Sequence, residues 1–256
     1  MVALAELAAR TGASKDEVAA LISKAVAANP SEAAPNLLLV EFHLRNNNAK
    51  LALAAAQNAV AALPDSPDML DALGRAQAAS GETNQAVATY NKLAAMQPTS
   101  PQPQLRLAGV HLAAKNPEAA AQALRKALEL KPDLLAAQRG LVGLAMQAKK
   151  APVAVTVSRD IQKQRPKEAA GYLLEGDIHA ALKEWDAAAT AYRTGLKQVA
   201  SPELAIKLHT VLSAGGKKAE AEKLAADWQK DNPKDPAMTF YLGDRATAAN
   251  DLPLAE

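Results

Sequence analysis

The stretch that decides the fold is PDMLDALGRAQAASGETNQAVATYNKLAAMQPTS, residues 67–100. Leu70, Leu73 and Gln77 lie three to four apart, as do Ala86, Tyr90 and Leu93, so each half of the stretch carries one stripe at helical spacing. Gly81 separates the halves. Pro67 opens the unit and Pro98 closes it, positions where proline fits a helix's first turn or ends the previous helix. The spacing predicts a helix hairpin.

Working outward from Pro98, prolines recur at Pro30, Pro64, Pro98, Pro132 and Pro166, 34 residues apart, and Pro233 returns after two more units, one of them a residue short. The small residue in the middle of the second helix keeps the same step through Ala52, Ala86, Ala120, Ala154, Ala188, Ala221 and Ala255. A 34-residue helix-turn-helix period with Leu-Gly, Ala, Tyr and Pro in these places resembles the tetratricopeptide repeat. The resemblance implies an all-α fold, a right-handed α-solenoid of tandem helical hairpins. It also implies a single solenoid over residues 1–256. In that frame 1–32 is a degenerate first hairpin, 33–66, 67–100, 101–134, 135–168, 169–201 and 202–235 are repeats, and 236–256 is a truncated one.

Details of the frame give local expectations. Leu4 and Leu7 mark a short first helix, Gly12 turns the chain, and Ser14 with Glu17 forms a capping box for a helix through Ala28. All fifteen prolines fall at helix edges. Asn46-Asn47-Asn48 replaces the turn glycine of the first full repeat, asparagine tolerating left-handed geometry better than most residues. The β-branched run Val153–Val157 lowers helix propensity and marks the expected weak point. The short junction before Pro202 predicts a local change of twist. Gly140-Leu141-Val142-Gly143 lies inside a helix pattern, where small residues are expected to allow close packing.

Composition limits the chemistry. Apolar residues are 49% of the chain and aromatics 3%, so the hydrophobic content is mostly Ala and Leu. The 29 basic and 27 acidic residues nearly cancel to +2, which does not point to nucleic acid as a partner. There are no cysteines, which excludes disulfides, thiolate metal sites and cysteine nucleophiles. No apolar run reaches membrane-spanning length, so no direct membrane insertion is expected. The N-terminus lacks the basic start and apolar block of a signal peptide. The chain ends just inside a second helix, and it reads as a fragment of a longer repeat protein whose exposed terminal repeats can self-associate.

His43, His111 and His179 recur every second repeat, 68 residues apart. Helices about 10 Å across put them too far apart to share an ion with ligand bonds of about 2 Å, so these and His209 are read as packing residues. No Gly-rich phosphate loop, HExxH or GxSxG occurs, and neither an enzyme nor a cofactor or metal site is expected. Glu175 stands where the other repeats carry Leu39, Leu73, Leu107 and Leu141. A buried carboxylate needs a partner, so Glu175 is either a structural tie between repeats or a ligand-facing acid.

The tetratricopeptide resemblance implies a concave groove lined by the first helix of each hairpin. Carried over by position, its candidates are Leu37, Glu41, Leu44, Asp71, Arg75, Leu105, Arg106, Leu112 and Arg139. They continue through Leu173, Asp177, Ile206, Lys207, Phe240, Tyr241 and Asp244. Arg75, Arg106 and Arg139 read as a basic run over adjacent repeats, either a binding stripe for carboxylates or a solvated charged face. The implied partner is a protein or peptide segment. The lysine and asparagine clamp of chaperone adaptors is missing, since Leu37, Glu41, Asp71 and Arg75 fill its first positions.

The segments GYLLEGD (171–177), KEWDAAATAYRTGL (183–196) and LAIKLHTVLSAGGKKAEAEKLAADWQKDNPKDPAMTFYLGD (204–244) resemble the bacterial tetratricopeptide lipoproteins of exopolysaccharide and PEP-CTERM protein-sorting systems. That resemblance implies an exported, envelope-associated scaffold. The alternatives are a cytoplasmic protein, or a regulatory or substrate-recruiting arm of a larger enzyme.

Overall fold

The computed structural model describes residues 2–248. Every helical hairpin in it turns in the same way. The residue after each first helix's cap takes positive φ: Gly12, Asn47, Gly81 and Lys115, then Lys149, Lys183 and Gly216, at φ between 56° and 86°. The next N–H reaches back to a carbonyl five residues earlier, as Asn48 does to His43 at 2.9 Å and Glu184 to His179 at 2.9 Å. A second bond, such as Lys115 N–H to Leu112 C=O at 3.0 Å, completes a Schellman cap. The Asn46–Asn48 turn is therefore built around left-handed Asn47, as its composition predicts. Three lysines hold the same conformation without glycine's freedom, each at a cost of about 1 kcal/mol.

The described residues form two compact units that divide between Pro132 and Asp133. The first holds α1 (Val2–Arg10), α2 (Lys15–Ala28), α3 (Ala33–Arg45), α4 (Ala49–Ala62), α5 (Pro67–Ala79), α6 (Thr83–Met96), α7 (Gln102–Ala113) and α8 (Pro117–Leu130). Ser14 and Glu17 make the expected capping box at the start of α2. Within this unit each hairpin packs on the one before it. Val40, Ala52, Ala56, Ala72 and Ala76 form one buried cluster, small enough that three helices approach closely. The Leu4 and Leu7 stripe of α1 does not point inward. Ala5 is the residue that joins Val18 and Ile22 in the core, while both leucines are exposed, because a helix of nine residues buries only one turn's face.

The second unit holds α9 (Leu135–Gln147), α10 (Ala151–Gln164), α11 (Ala170–Ala181), α12 (Trp185–Gln198), α13 (Pro202–Ala214), α14 (Lys218–Asp231) and α15 (Ala237–Ala248). The β-branched run is helical here, in α10. The short junction before Pro202 is taken up by Val199–Ser201, where Val199 is extended at ψ 129°. Tyr172, Tyr192, Leu204, Leu208 and Leu212 carry the largest core of this unit.

Among the described residues there are fifteen helices and no strand. Ala52, Ala86, Ala120, Ala154, Ala188 and Ala221 are all buried at 1% exposure or less. Ala255 and Pro253 lie outside the described residues. The other fourteen prolines sit in junctions or first turns. Close helix approach through glycine occurs elsewhere than at Gly143, which faces open space. It occurs at Gly74, where a Cβ would stand 2.5 Å from the Tyr90 ring, and at Gly176 against Tyr192. No described helix is long and apolar enough to cross a membrane.

Candidate functional site

The first helices position the candidate side chains because i and i+4 share a helix face, and because equivalent positions in successive repeats become neighbours. In the first unit this brings four charged residues together across α3, α5 and α7. Arg75 Nη1 lies 2.6 Å from Glu41 Oε1. Arg106 forks onto Asp71, with Nε to Oδ1 at 2.7 Å and Nη2 to Oδ2 at 3.0 Å. Arg75 Nε stands 3.1 Å from Asp71 Oδ2, off the line of a hydrogen bond. Tyr90 closes the rear of this cluster from α6, its hydroxyl donating to the Asp71 carbonyl at 3.4 Å. Burial, and then the Asp71 carboxylate, push that phenol well above its ordinary pKa, so it remains a donor.

Arg75 and Arg106 are thus not free cations. Each is matched by an acid in the neighbouring repeat, and the group presents a fixed alternation of charge. These half-buried ion pairs still reach solvent, where such pairs contribute little stability, about 0–1 kcal/mol each, so their main effect is to orient the side chains. Leu37 and Leu44 lie beside them, half-buried against the α3–α5 cluster, while Leu105 is half-buried on α7 and Leu112 is exposed.

The second unit repeats the device with different residues. Asp177 on α11 accepts from Tyr192 at 2.6 Å and from Lys207 on α13 at 2.8 Å. Burial and the bond to Asp177 raise the Tyr192 phenol far above its usual range. Leu173 and Ile206 are half-buried beside this pair. Arg139, Phe240 and Asp244 are exposed. Tyr241 bonds instead with His209 and Thr210, at 3.0 and 2.9 Å.

Glu175 is buried and fully engaged. Arg159 Nε donates to it at 2.8 Å and Gln162 Nε2 at 2.5 Å, both from α10 of the preceding repeat. It ties two hairpins together, the structural reading of its place in the leucine register. The histidines differ from one another. His43 is buried with Nδ1 unpartnered, and burial lowers its pKa. His179 Nδ1 lies 2.6 Å from Glu184 across its own turn.

Sequence reasoning missed the pairing of the arginines, although the signal was present. Glu41 and Arg75 stand one period apart and Asp71 and Arg75 one helical turn apart. It also missed His209 and Arg245, which meet at 3.0 Å. Arg245 occupies the register of Val211 and Ile178, both buried, and that exchange was readable.

Residues 71–134 match the family model of the tetratricopeptide repeat. No curated protein matches the sequence. Among solved structures, a tetratricopeptide repeat protein from Parabacteroides merdae aligns over 99% of this chain and 96% of its own, at 14% identity and TM-score 0.56. The yeast Tom70 structure aligns over 94% of this chain at 14% identity and TM-score 0.59. A chain of the APC/C hetero-tetramer Cut9-Hcn1 aligns over 89% at 18% identity and TM-score 0.52. The chain spans about half the length of these last two, 53% and 45%. At such identities the likeness shows the fold alone, tandem tetratricopeptide-type hairpins.

Proposed function

We propose that this chain is a non-catalytic scaffold that holds protein segments against the first-helix face of its repeats. The observation that carries this is the composition of that face in each unit. Half-buried aliphatic side chains flank charges already fixed in place: Leu37 and Leu44 beside Glu41–Arg75, Leu173 and Ile206 beside Asp177–Lys207. Apolar contact area beside oriented polar groups is the arrangement by which protein interfaces gain both affinity and register. A partner binding there gives up little side-chain entropy on the scaffold's side, because neighbouring repeats already hold these charges.

The setting we propose is the bacterial envelope, in exopolysaccharide assembly or protein sorting. The resemblance over residues 169–244 supports it. The test is affinity capture from an envelope extract of the source organism, comparing the wild-type chain with an Arg106→Glu, Lys207→Glu variant of unchanged helicity. A partner retained by the wild type and lost by the variant supports the reading and identifies the pathway. Identical capture by both sinks it.

A further inference from the structure

In the hairpin of α11 and α12, Tyr192 fills the space over Gly176, and Trp185 and Leu196 pack against the same core. Thirty-three residues later the three places are taken by Ala225, Lys218 and Gln229. A cleft of about 1120 Å³ lies between α13, α14 and α15 of this hairpin and its successor. That is a little above the roughly 300–1,000 Å³ of a pocket for a small organic ligand.

Its lining is polar at one end. His209 replaces Gly176 in register and is 5% exposed. Its Nδ1 is 3.0 Å from Arg245 Nη1 and 3.0 Å from the Tyr241 hydroxyl. A guanidinium only donates, so Nδ1 is the bare acceptor nitrogen and the proton sits on Nε2. Nε2 has no partner among the described residues. Arg245 Nη1 also donates to Tyr241 at 2.9 Å and to Ser213 at 3.2 Å. The three groups that share its two Nη1 hydrogens are all neutral, and its Nε and Nη2 bond to nothing described. This is the edge with which Arg106 grips Asp71. Among the described residues Lys218 lines the same cleft without an ion pair, and Glu222 is the one carboxylate lining it. Ala221, Ala225 and Leu242 make the remaining surface apolar.

We propose that this cleft binds a carboxylate carried on a short apolar chain, with the Arg245 fork on the carboxylate, Lys218 adding charge and the alanines and Leu242 taking the apolar part. Two cations and an imidazole N–H outweigh a single acid, and a fixed guanidinium without a counter-charge suits a planar carboxylate better than any neutral group. The source of such a group is either a peptide C-terminus or a free organic acid. The proposal stands independently of the first-helix face.

The test is a ¹H–¹⁵N titration of the chain with four probes: N-acetyl-Ala-Leu, its C-terminal amide, hexanoate and hexanamide. Saturable shifts at the backbone amides of residues 209–213 and 242–246 are expected with an acid, and binding at least tenfold weaker with the matching amide. Arg245→Met and, separately, Lys218→Met should each weaken the acid by several-fold. A tenfold preference for the peptide acid assigns the site to chain termini, and equal binding of hexanoate assigns it to free acids; both uphold the proposal. Equal affinity for acid and amide on the wild-type chain overturns it, as does the absence of any saturable shift. So does acid binding unchanged in both variants.

Discussion

The hairpins of residues 169–201 and 202–235 share one backbone plan and differ in which helix supplies the bulk. In the first, glycine at position 176 lets Tyr192 lie flat against the first helix, and the core closes. In the second the large side chain moves to the first helix as His209 and the second helix carries Ala225. The space a phenol ring would fill is left as a cleft bordered by hydrogen-bonding groups. The same two register positions hold Val40 and Ala56, Gly74 and Tyr90, Ala108 and Leu124, and Val142 and Ser158. The bulk shifts between these two positions from repeat to repeat, and where it sits decides which groups border the space between the helices.

The largest expected effect comes from emptying the closed hairpin. Tyr192→Ala removes a ring at 1% exposure and its bond to Asp177. It should cost about 3–5 kcal/mol, the range for deleting a buried aromatic that leaves a cavity. Urea unfolding followed by circular dichroism measures it. A loss under about 1 kcal/mol would mean that the ring is not the keystone the comparison requires.

Filling the open hairpin should do the reverse. His209→Gly with Ala225→Tyr transplants the closed pair one repeat along. The buried ring should return about 2–3 kcal/mol, less about 1 for a glycine inside α13, leaving a net gain of about 1–2 kcal/mol. Either substitution alone should be worse than the pair: tyrosine against His209 is overpacked, and glycine against Ala225 enlarges the void. Additive single effects in the double-mutant cycle would show that the two positions do not face one another in this hairpin.

These pairings also mark what could be read from the sequence. The period, the prolines and the buried alanines were legible because each records one residue's own environment, repeated. Glu17 under Ser14 and Asn47 in its turn were legible for the same reason, since a cap is local. The spacing of Glu41 with Arg75 and the register of Arg245 were visible, but the Gly–Tyr exchange, the Arg106 fork and the cleft under Arg245 depend on which side chains meet across helices, and only the packing supplies that. Leu4 and Leu7 show the converse: a periodic stripe does not decide which side of a short helix finds a neighbour. Glu175 could be marked as needing a partner, but Arg159 and Gln162 could not be named from spacing alone.

The turns of the two hairpins offer a smaller contrast. Both need a left-handed residue, and the closed hairpin uses Lys183 at φ 60° where the open one uses Gly216 at φ 79°. Lys183→Gly should stabilise by about 0.5–1 kcal/mol and Gly216→Ala destabilise by about 1 kcal/mol, the same backbone preference read in both directions. Thermal unfolding of the two variants checks it. Shifts of the same sign would show that side-chain contacts, not backbone conformation, govern these turns.

The smallest expected effect separates the hairpins by pH, because one carries a titratable group where the other carries glycine. Burial, and then the neighbouring Arg245, hold His209 below the ordinary histidine pKa of 6.5, while the nearby Glu222 acts in the opposite direction. The folded chain therefore keeps His209 neutral at a pH where the unfolded chain has begun to protonate its histidine, so protons favour unfolding. Its stabilising contribution is complete above pH 6.5 and is lost as pH falls from there through the folded-state pKa. His43 in the first unit is shifted the same way by burial, so a whole-chain melt would mix the two. Amide exchange of α13 and α15 at pH 8 and pH 5.5 isolates the effect. Protection there should fall with pH in the wild type beyond the intrinsic rate change and stay level in His209→Gln, whose amide oxygen can still accept from Arg245. Equal pH responses in both would assign the loss to other groups, and the histidine would then be filling space in the open hairpin without governing its stability.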